Sequence, residues 1–172
     1  EKEALVTMIR IQDIWSTITE LLPPALQESY DNCGLQVGDP SLPATGVLCC
    51  VDITEQVLQE ALQKKCNVII AHHPLLFKGL KRIGTESYIE RCVRFAIRHD
   101  LAIYAAHTNA DNADGGLNYL LAEDLGLSQV RSLEPQRGTL MELVTFVPTQ
   151  YVSRVSEALW SAGAGKIGAY DS

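Results

Sequence analysis

The chain has 172 residues, of which 47% are apolar and 20% are charged, and its formal net charge is −7. A chain of this length and composition can build one hydrophobic core, which predicts one domain followed by a smaller remnant. The acidic balance argues against direct binding to nucleic acid, which depends on basic side chains that release counterions. No apolar run reaches the roughly 20 residues of a membrane helix, and the first residues lack the pattern of a secretion signal. We therefore expect a cytoplasmic protein that makes no membrane contact.

The five cysteines are odd in number and include no C-x-x-C pair, which argues against a disulfide framework and against a thiolate zinc site. Cys49 and Cys50 lie in the apolar run of residues 46–51, where cysteine commonly serves as a small buried hydrophobe. We therefore expect reduced thiols, with Cys49 and Cys50 in the core.

Helical and strand-like patterns alternate through the first 130 residues. The predicted helices are residues 11–22, a helix capped by Thr54, residues 85–99, and a helix from Leu117 that Gly126 ends. The predicted strands are residues 46–51, 67–71 and 101–106, with a short apolar piece at residues 35–37. Residues 46–51 are expected to be fully buried, and residues 108–116 are expected to form a polar loop. This order predicts an α/β fold in which helices flank a mixed, largely parallel sheet.

The character of the chain changes after Gly126. A polar connector leads to a strand-like segment at residues 140–147, a helix that contains Val152 and Leu159, and the beginning of another strand at Lys166. A strand and a helix without a returning strand form an incomplete unit. We therefore expect a first domain over residues 8–130 and the beginning of an α+β domain over residues 139–172.

Two histidine motifs follow predicted strands, at the edge where parallel sheets bind ligands. His72 and His73 come after the second predicted strand, and His107 comes after the third, four residues before Asp111. Imidazole and carboxylate groups are ligands of zinc, manganese, iron and nickel. Neighbouring residues of a strand point to opposite faces, so His72 and His73 are expected to serve two nearby ions that Asp111 bridges. Two such ions favour hydrolysis as the reaction.

Each of these residues also has a simpler interpretation. Taken alone, the paired histidines are more typical of polar strand ends that turn hydrogen bonds stabilise, and the second motif favours metal binding. His107 is compatible with a histidine bonded to the backbone, with a ligand, or with a residue that supports a ligand or moves a proton. Asp111 precedes a predicted helix and is also suited to an Asx turn or a helix cap.

Two other segments suggest a substrate site. The Asp31-Asn32-Cys33-Gly34 segment is compatible with a plain turn, and Cys33 is a nucleophile only if a base lies beside it. Three cations, Lys78, Lys81 and Arg82, follow the histidine pair in one loop. They are suited to holding a phosphate, although such clusters are more often solvated.

Together these stretches resemble the Nif-three-like family, whose members are often named GTP cyclohydrolase 1 type 2 homologues. The resemblance covers residues 9–127 in order. It rests on the segments D-N-C-G-L-Q-V-G from Asp31, V-D at Val51, A-H-H-P at Ala71, and H-T-N-A-D from His107 with G-G-L-N after it.

The resemblance implies two divalent metal ions, with His72, His73 and Asp111 as ligands and with His107 in the site. We expect His107 to act there as a catalytic residue. We also expect Asp31, Asn32, Asn109 and Lys78 to contribute to substrate binding. The family's C-terminal histidine and glutamate ligands have no match here, because no histidine follows His107. The chain is therefore expected to be a truncated long form, with residues 140–172 beginning an inserted domain.

Two functions follow from the resemblance and the motifs. The first is a dinuclear-metal hydrolase that acts on a nucleotide-like or other small phosphorylated substrate, like a GTP cyclohydrolase. The alternative is a metal-stabilised regulatory or interaction protein without catalysis. In either case the resemblance implies a homo-oligomer, a hexamer.

Overall fold

The computed structural model describes residues 8–133 and 143–165, and the chain divides into two compact units between Val130 and Arg131. The strands of the first unit are β1 (Gly34–Val37), β2 (Val47–Cys50), β3 (Val68–Ala71) and β4 (Ala102–Ala105). Its helices are α1 (Ile11–Leu21), α2 (Glu55–Gln63), α3 (Tyr88–Arg98), α4 (Thr108–Asn112) and α5 (Leu117–Asp124). The described part of the second unit contains α6 (Val152–Ser161). No helix in these described ranges has the length and apolar character needed to cross a membrane.

The four strands form one sheet in the order β1-β4-β3-β2. β2, β3 and β4 run parallel, whereas β1 is antiparallel to β4. The predicted mixed, largely parallel α/β fold is therefore confirmed. Because β1 runs in the opposite direction, its beginning lies at the edge where β4 ends, and Gly34 pairs with Ala105 there.

Local signals in the sequence explain where the helices begin. The hydroxyl of Thr54 accepts a hydrogen bond from the backbone N–H of Val57, so the predicted N-cap of α2 is confirmed. The hydroxyl of Ser87 likewise accepts a hydrogen bond from the backbone N–H of Glu90. α3 therefore begins at Tyr88, three residues later than predicted. At its other end, α1 stops at Leu21, and Pro23 and Pro24 follow its C-cap residue Leu22.

Helices cover both faces of the sheet. The alternate residues Ile69, Ala71 and Ile103 pack with α2 and α3 in the larger core cluster, where Leu58 of α2 is fully buried. The opposite face packs against α1, where Ile11 contacts the cluster that contains Val68 and Ala102. This three-layer arrangement holds the strand ends in fixed positions.

The prediction that residues 46–51 form a fully buried strand is wrong. β2 is an edge strand, and its residues alternate between exposed and half-buried. Leu48 and Cys50 pack against the larger core cluster, whereas Val47 and Cys49 on the other face are exposed. Cys49 is therefore not a core thiol, and Cys50 is only partly buried. The apolar run correctly predicted a strand, but it did not indicate that the strand lies at the edge of the sheet.

Two further expectations differ from the structure. Residues 108–116, expected to be a loop, begin with the short helix α4, because the backbone N–H groups of Ala110 and Asp111 both bond to the carbonyl of His107. The expected strand at residues 140–147 has no regular structure over residues 143–147, and its first residues lie outside the described ranges. The expected strand at Lys166 also lies outside them. The helix expected around Val152 is confirmed as α6.

We expect the exposed Cys49 to react with iodoacetamide much faster than Cys92. Cys92 is fully buried in the core, and burial raises its pKa to about 11. At pH 8 this shift lowers the thiolate fraction roughly 100-fold relative to an ordinary thiol. Peptide mass spectrometry after timed alkylation measures both rates, and unfolding the chain in urea should make them similar. Equal rates in the folded chain would contradict the burial of Cys92.

Candidate metal centre

The ends of parallel strands bring the two histidine motifs together. β3 ends at Ala71 and β4 ends at Ala105, and these two residues are paired across the sheet. His72 follows the first of them, and His107 lies two residues after the second. Residues that are 35 positions apart in the chain therefore emerge side by side at one edge.

The rings of His72, His73 and His107 form one cluster. One ring nitrogen from each lies within 4.8 Å of the other two. The ring centroids are 4.9 Å apart for His72 and His73, 5.1 Å for His72 and His107, and 5.6 Å for His73 and His107. The expectation that His72 and His73 point to opposite faces is therefore wrong. β3 ends at Ala71, so strand alternation no longer applies to the bend that follows it.

Each of the three rings is anchored through its Nδ1 atom. The Nδ1 atom of His72 lies 3.1 Å from the carbonyl of Ala106, and that of His73 lies 2.8 Å from Asp52 Oδ1. The Nδ1 atom of His107 lies 2.9 Å from Asp31 Oδ1. Carbonyl and carboxylate oxygens only accept hydrogen bonds, so each Nδ1 carries the proton. The three Nε2 atoms then carry the lone pairs that metal ions bind.

Asp31 is buried beneath His107 and is not open to a substrate. Its side chain has no exposed surface. Burial acts to raise the pKa of Asp31, but hydrogen bonds from His107, Thr108 and Cys33 outweigh burial and hold that pKa well below its ordinary value. The carboxyl group is therefore ionised, as the anchoring of the His107 ring requires.

Asp111 lies beside the histidine cluster. It belongs to α4, and its Oδ2 atom is 4.0 Å from Nε2 of His72. Its side chain is 32% exposed, so it can turn towards a bound cation. This position agrees with the expected ligand role, which remains a prediction.

The remaining predicted residues occupy different environments. Asn109 is fully buried, with its amide nitrogen 2.8 Å from the carbonyl of Leu22 and its amide oxygen 3.0 Å from the backbone nitrogen of His107. These contacts favour a structural role for Asn109 over contact with a substrate. Lys78 is exposed in the loop after His73, where it can meet a ligand.

The Cys33 thiol donates a hydrogen bond to Asp31 Oδ2 over 3.0 Å, and burial raises its pKa. A thiol that is already donating to a carboxylate and is disfavoured as a thiolate makes a poor nucleophile. Cys33 therefore supports Asp31, and this carboxylate is a weak base because its pKa lies well below the ordinary value.

Asp52 and Phe77 belong to the site but have no role in the sequence-based predictions. Asp52 lies two residues after the end of β2, as His107 lies two residues after the end of β4, so the expectation of ligands at strand ends also applies to Asp52. Phe77 is 44% exposed, and its ring centroid is 6.4 Å from that of His107. The neighbouring Leu76 is held by the amide of Asn32, which donates to its carbonyl over 2.6 Å. No local pattern marks Phe77, because its position depends on this long-range contact.

The donor set fits a divalent transition metal. Three imidazoles with available Nε2 atoms and a nearby carboxylate are the ligands that zinc, iron, manganese and nickel sites use. The separations within 4.8 Å accommodate binding to one ion or to two neighbouring ions. These features define an α/β protein with a histidine cluster at the carboxyl edge of its sheet that could hold a metal ion.

Comparison with protein families matches residues 9–172 to the Duf34/NIF3 (NGG1p interacting factor 3) family. The chain belongs to this family. It is 42% identical over 160 residues to a Bacillus subtilis protein named GTP cyclohydrolase 1 type 2 homolog, covering 92% of the chain and 43% of that protein. It is 41% identical over 165 residues to the Halalkalibacterium halodurans protein of the same name, covering 95% of the chain and 43% of that protein. The chain thus spans less than half of the length of these relatives.

Solved structures agree with this assignment. A Bacillus cereus protein related to NIF3 is similar with a TM-score of 0.71 and 40% sequence identity, covering 95% of the chain and 45% of that structure. A Staphylococcus aureus hypothetical protein is similar with a TM-score of 0.73 and 31% identity, covering 94% of the chain and 46% of that structure.

Proposed function

We propose that this chain binds two divalent metal ions and contributes them to the hydrolysis of a nucleotide-like or other small phosphorylated substrate. The observation that carries the proposal is the convergence of His72, His73 and His107, with each Nδ1 atom anchored by an acceptor. In this proposal His72, His73 and Asp111 are the ligands, and His107 is the catalytic residue beside them.

The arrangement of the cluster favours a catalytic metal site over a purely structural one. A divalent metal held by imidazoles lowers the pKa of water and supplies a nucleophile near neutral pH. The side chain of His73 is 50% exposed, so the cluster opens to solvent on its side. A structural metal site is usually closed by its ligands, whereas a catalytic site keeps an open position.

The loop after His73 supports a substrate that is aromatic at one end and anionic at the other. Phe77 offers an exposed ring beside His107, which suits the flat face of a nucleobase. Lys78 follows it directly, and the exposed Lys81 lies three residues further along the loop. Both ammonium groups are suited to a phosphate. The names of the relatives, which refer to GTP cyclohydrolase, agree with this substrate class.

A hydrolysis panel tests the proposal. The purified chain is loaded separately with zinc, manganese, iron and nickel, and release of phosphate or ring-opened product is measured on nucleotides and phosphoesters. We expect activity that chelation removes and that the same metal restores. Absence of hydrolysis with every metal and every compound would contradict the proposed hydrolase function.

The second candidate is a metal-stabilised protein that binds a partner or further copies of itself, such as a hexamer. The observation that favours it is the apolar surface around α5, where Leu117, Leu120, Leu121 and Leu125 are each at least 45% exposed. Exposed apolar patches of this kind commonly mark interfaces. Light scattering of the chain and of Leu121→Asp tests it, since association that depends on this surface should weaken in the variant.

A further inference from the structure

Two side chains in and before β1 hold both backbone polar groups of Leu76. The Oε1 atom of Gln36 accepts a hydrogen bond from the Leu76 N–H over 2.7 Å. The Nδ2 atom of Asn32 donates to the Leu76 carbonyl over 2.6 Å. The Nε2 atom of Gln36 also donates to the carbonyl of Asn32 over 2.6 Å, so the two residues are bonded to each other as well. This Asn32–Gln36 clamp fixes the loop after His73 at Leu76.

The Asn32–Gln36 clamp determines where the ring of Phe77 lies. Leu75 is buried in the larger core cluster and Leu76 packs against that cluster, whereas the next side chain, Phe77, is 44% exposed. An aromatic ring gains most when it is removed from water, so packing alone does not hold a ring in an exposed position. The hydrogen bonds to Leu76 hold it instead, because they fix the residue directly before it.

The segment that carries the clamp also contacts His107. Asp31 directly precedes Asn32, and its Oδ1 atom lies 2.9 Å from Nδ1 of His107. The rings of Phe77 and His107 have their centroids 6.4 Å apart and their planes at 85° to each other. Because one segment holds both the residue before Phe77 and the ring of His107, the distance between these rings is fixed.

We propose that Asn32 and Gln36 are positioning residues that hold Phe77 beside the histidine cluster as a stacking surface for the planar end of the substrate. This role replaces the substrate contact expected of Asn32 from the sequence, and it rests on the proposed function. Stacking of a base on an aromatic side chain contributes about 5–150-fold in affinity. A ring that is already in place saves the cost of ordering it, which is about 2–10-fold.

Two ligands that differ in the base test this role. GMP carries a planar base, whereas ribose 5-phosphate offers the sugar and the phosphate without it. The ratio of their dissociation constants, measured by NMR titration of the chain, therefore isolates the contribution of the base. We expect the wild type to bind GMP about 5–150-fold more tightly. Phe77→Ala should lose this preference, and it should remain folded because the ring is already exposed.

Variants of the clamp separate its role from general stability. Asn32→Ala and Gln36→Met remove the hydrogen bonds to Leu76, and each should lower the preference for GMP about 2–10-fold. Asn67→Ala is the matched control, because the Asn67 amide also bonds to two backbone groups, each over 2.8 Å, directly before β3 and away from the histidines. It should lower the thermal midpoint but keep the wild-type preference.

The outcomes separate the clamp from the hydrolase. A folded Asn32→Ala or Gln36→Met chain with the wild-type preference would overturn the role of the residue that it replaces. An equal loss in Asn67→Ala would show that the effect comes from stability and would overturn the positioning role. A wild type that binds GMP no more tightly than ribose 5-phosphate would overturn the stacking surface, whereas the proposed hydrolase is contradicted only by the hydrolysis panel.

Amide hydrogen exchange of the wild type tests the clamp without any variant. The Leu76 amide should exchange at least about 5-fold more slowly than those of the exposed Lys78 and Gly79, after correction for intrinsic rates, because it donates to Gln36. Equal rates would overturn the clamp whether or not any variant folds.

Discussion

Replacing His73 with alanine is expected to weaken zinc binding by more than about 100-fold while leaving the metal-free fold unchanged. Loss of a group that only supports a ligand costs about 10–100-fold in metal affinity, and loss of the ligand itself should exceed that range. The His73 side chain is half exposed, so its truncation opens no cavity in the core. Competition titration gives the affinity, and elemental analysis after gel filtration gives the metal content.

His99→Ala is the matched control for this prediction, because it also removes one imidazole from the chain. His99 follows α3, and its ring lies against Phe95 with the centroids 4.4 Å apart, outside the histidine cluster. We expect His99→Ala to keep the wild-type zinc affinity. Full metal retention by His73→Ala, or equal losses in the two variants, would contradict the assignment of His73 as a ligand.

Replacing Gly38 with alanine is expected to destabilise the chain by about 2–6 kcal/mol. Gly38 has a φ of +114°, and a methyl group at this position would lie 2.6 Å from the Cα atom of Ala102. A backbone conformation that only glycine adopts readily costs about 1–3 kcal/mol in another residue. The clash with the backbone of Ala102 adds a similar amount, because β4 cannot move away from the sheet without disturbing the core.

Gly34→Ala separates these two costs. Gly34 has a similar φ of +103°, but a methyl group there would have no neighbouring atom within 4 Å. We expect it to lose only about 1–3 kcal/mol. Urea unfolding followed by circular dichroism measures the free energy of unfolding for both variants. A Gly34→Ala chain as unstable as Gly38→Ala would show that the close approach to Ala102 contributes nothing.

All four strands deliver residues to the candidate metal centre. Asp52, His72 and His107 follow the ends of the three parallel strands, whereas Asp31 precedes the antiparallel β1. The reversed direction of β1 brings its beginning to the edge where the parallel strands end. Changes that shift β1 against β4, such as Gly38→Ala, are therefore expected to affect the position of Asp31 as well as stability.

The sequence by itself determined the elements and the place of the site. Helical spacing and capping signals are local, so α1 and the Thr54 cap of α2 could be predicted from neighbouring residues. The parallel order of the later strands follows from their alternation with helices. Since ligands bind where such strands end, His72, His73 and His107 could be expected at one edge.

Only the tertiary structure decided which surfaces are covered and which groups support the site. An apolar run does not indicate whether its strand lies in the centre or at the edge of a sheet. Cys49 is exposed because β2 lies at the edge, next to β3. The contact between Asp31 and His107 joins residues 76 positions apart, and no local pattern encodes it. It exists because the packing of α1, the sheet and the helices α2 and α3 holds the strand ends in place, and a buried carboxylate requires donors that only this packing supplies.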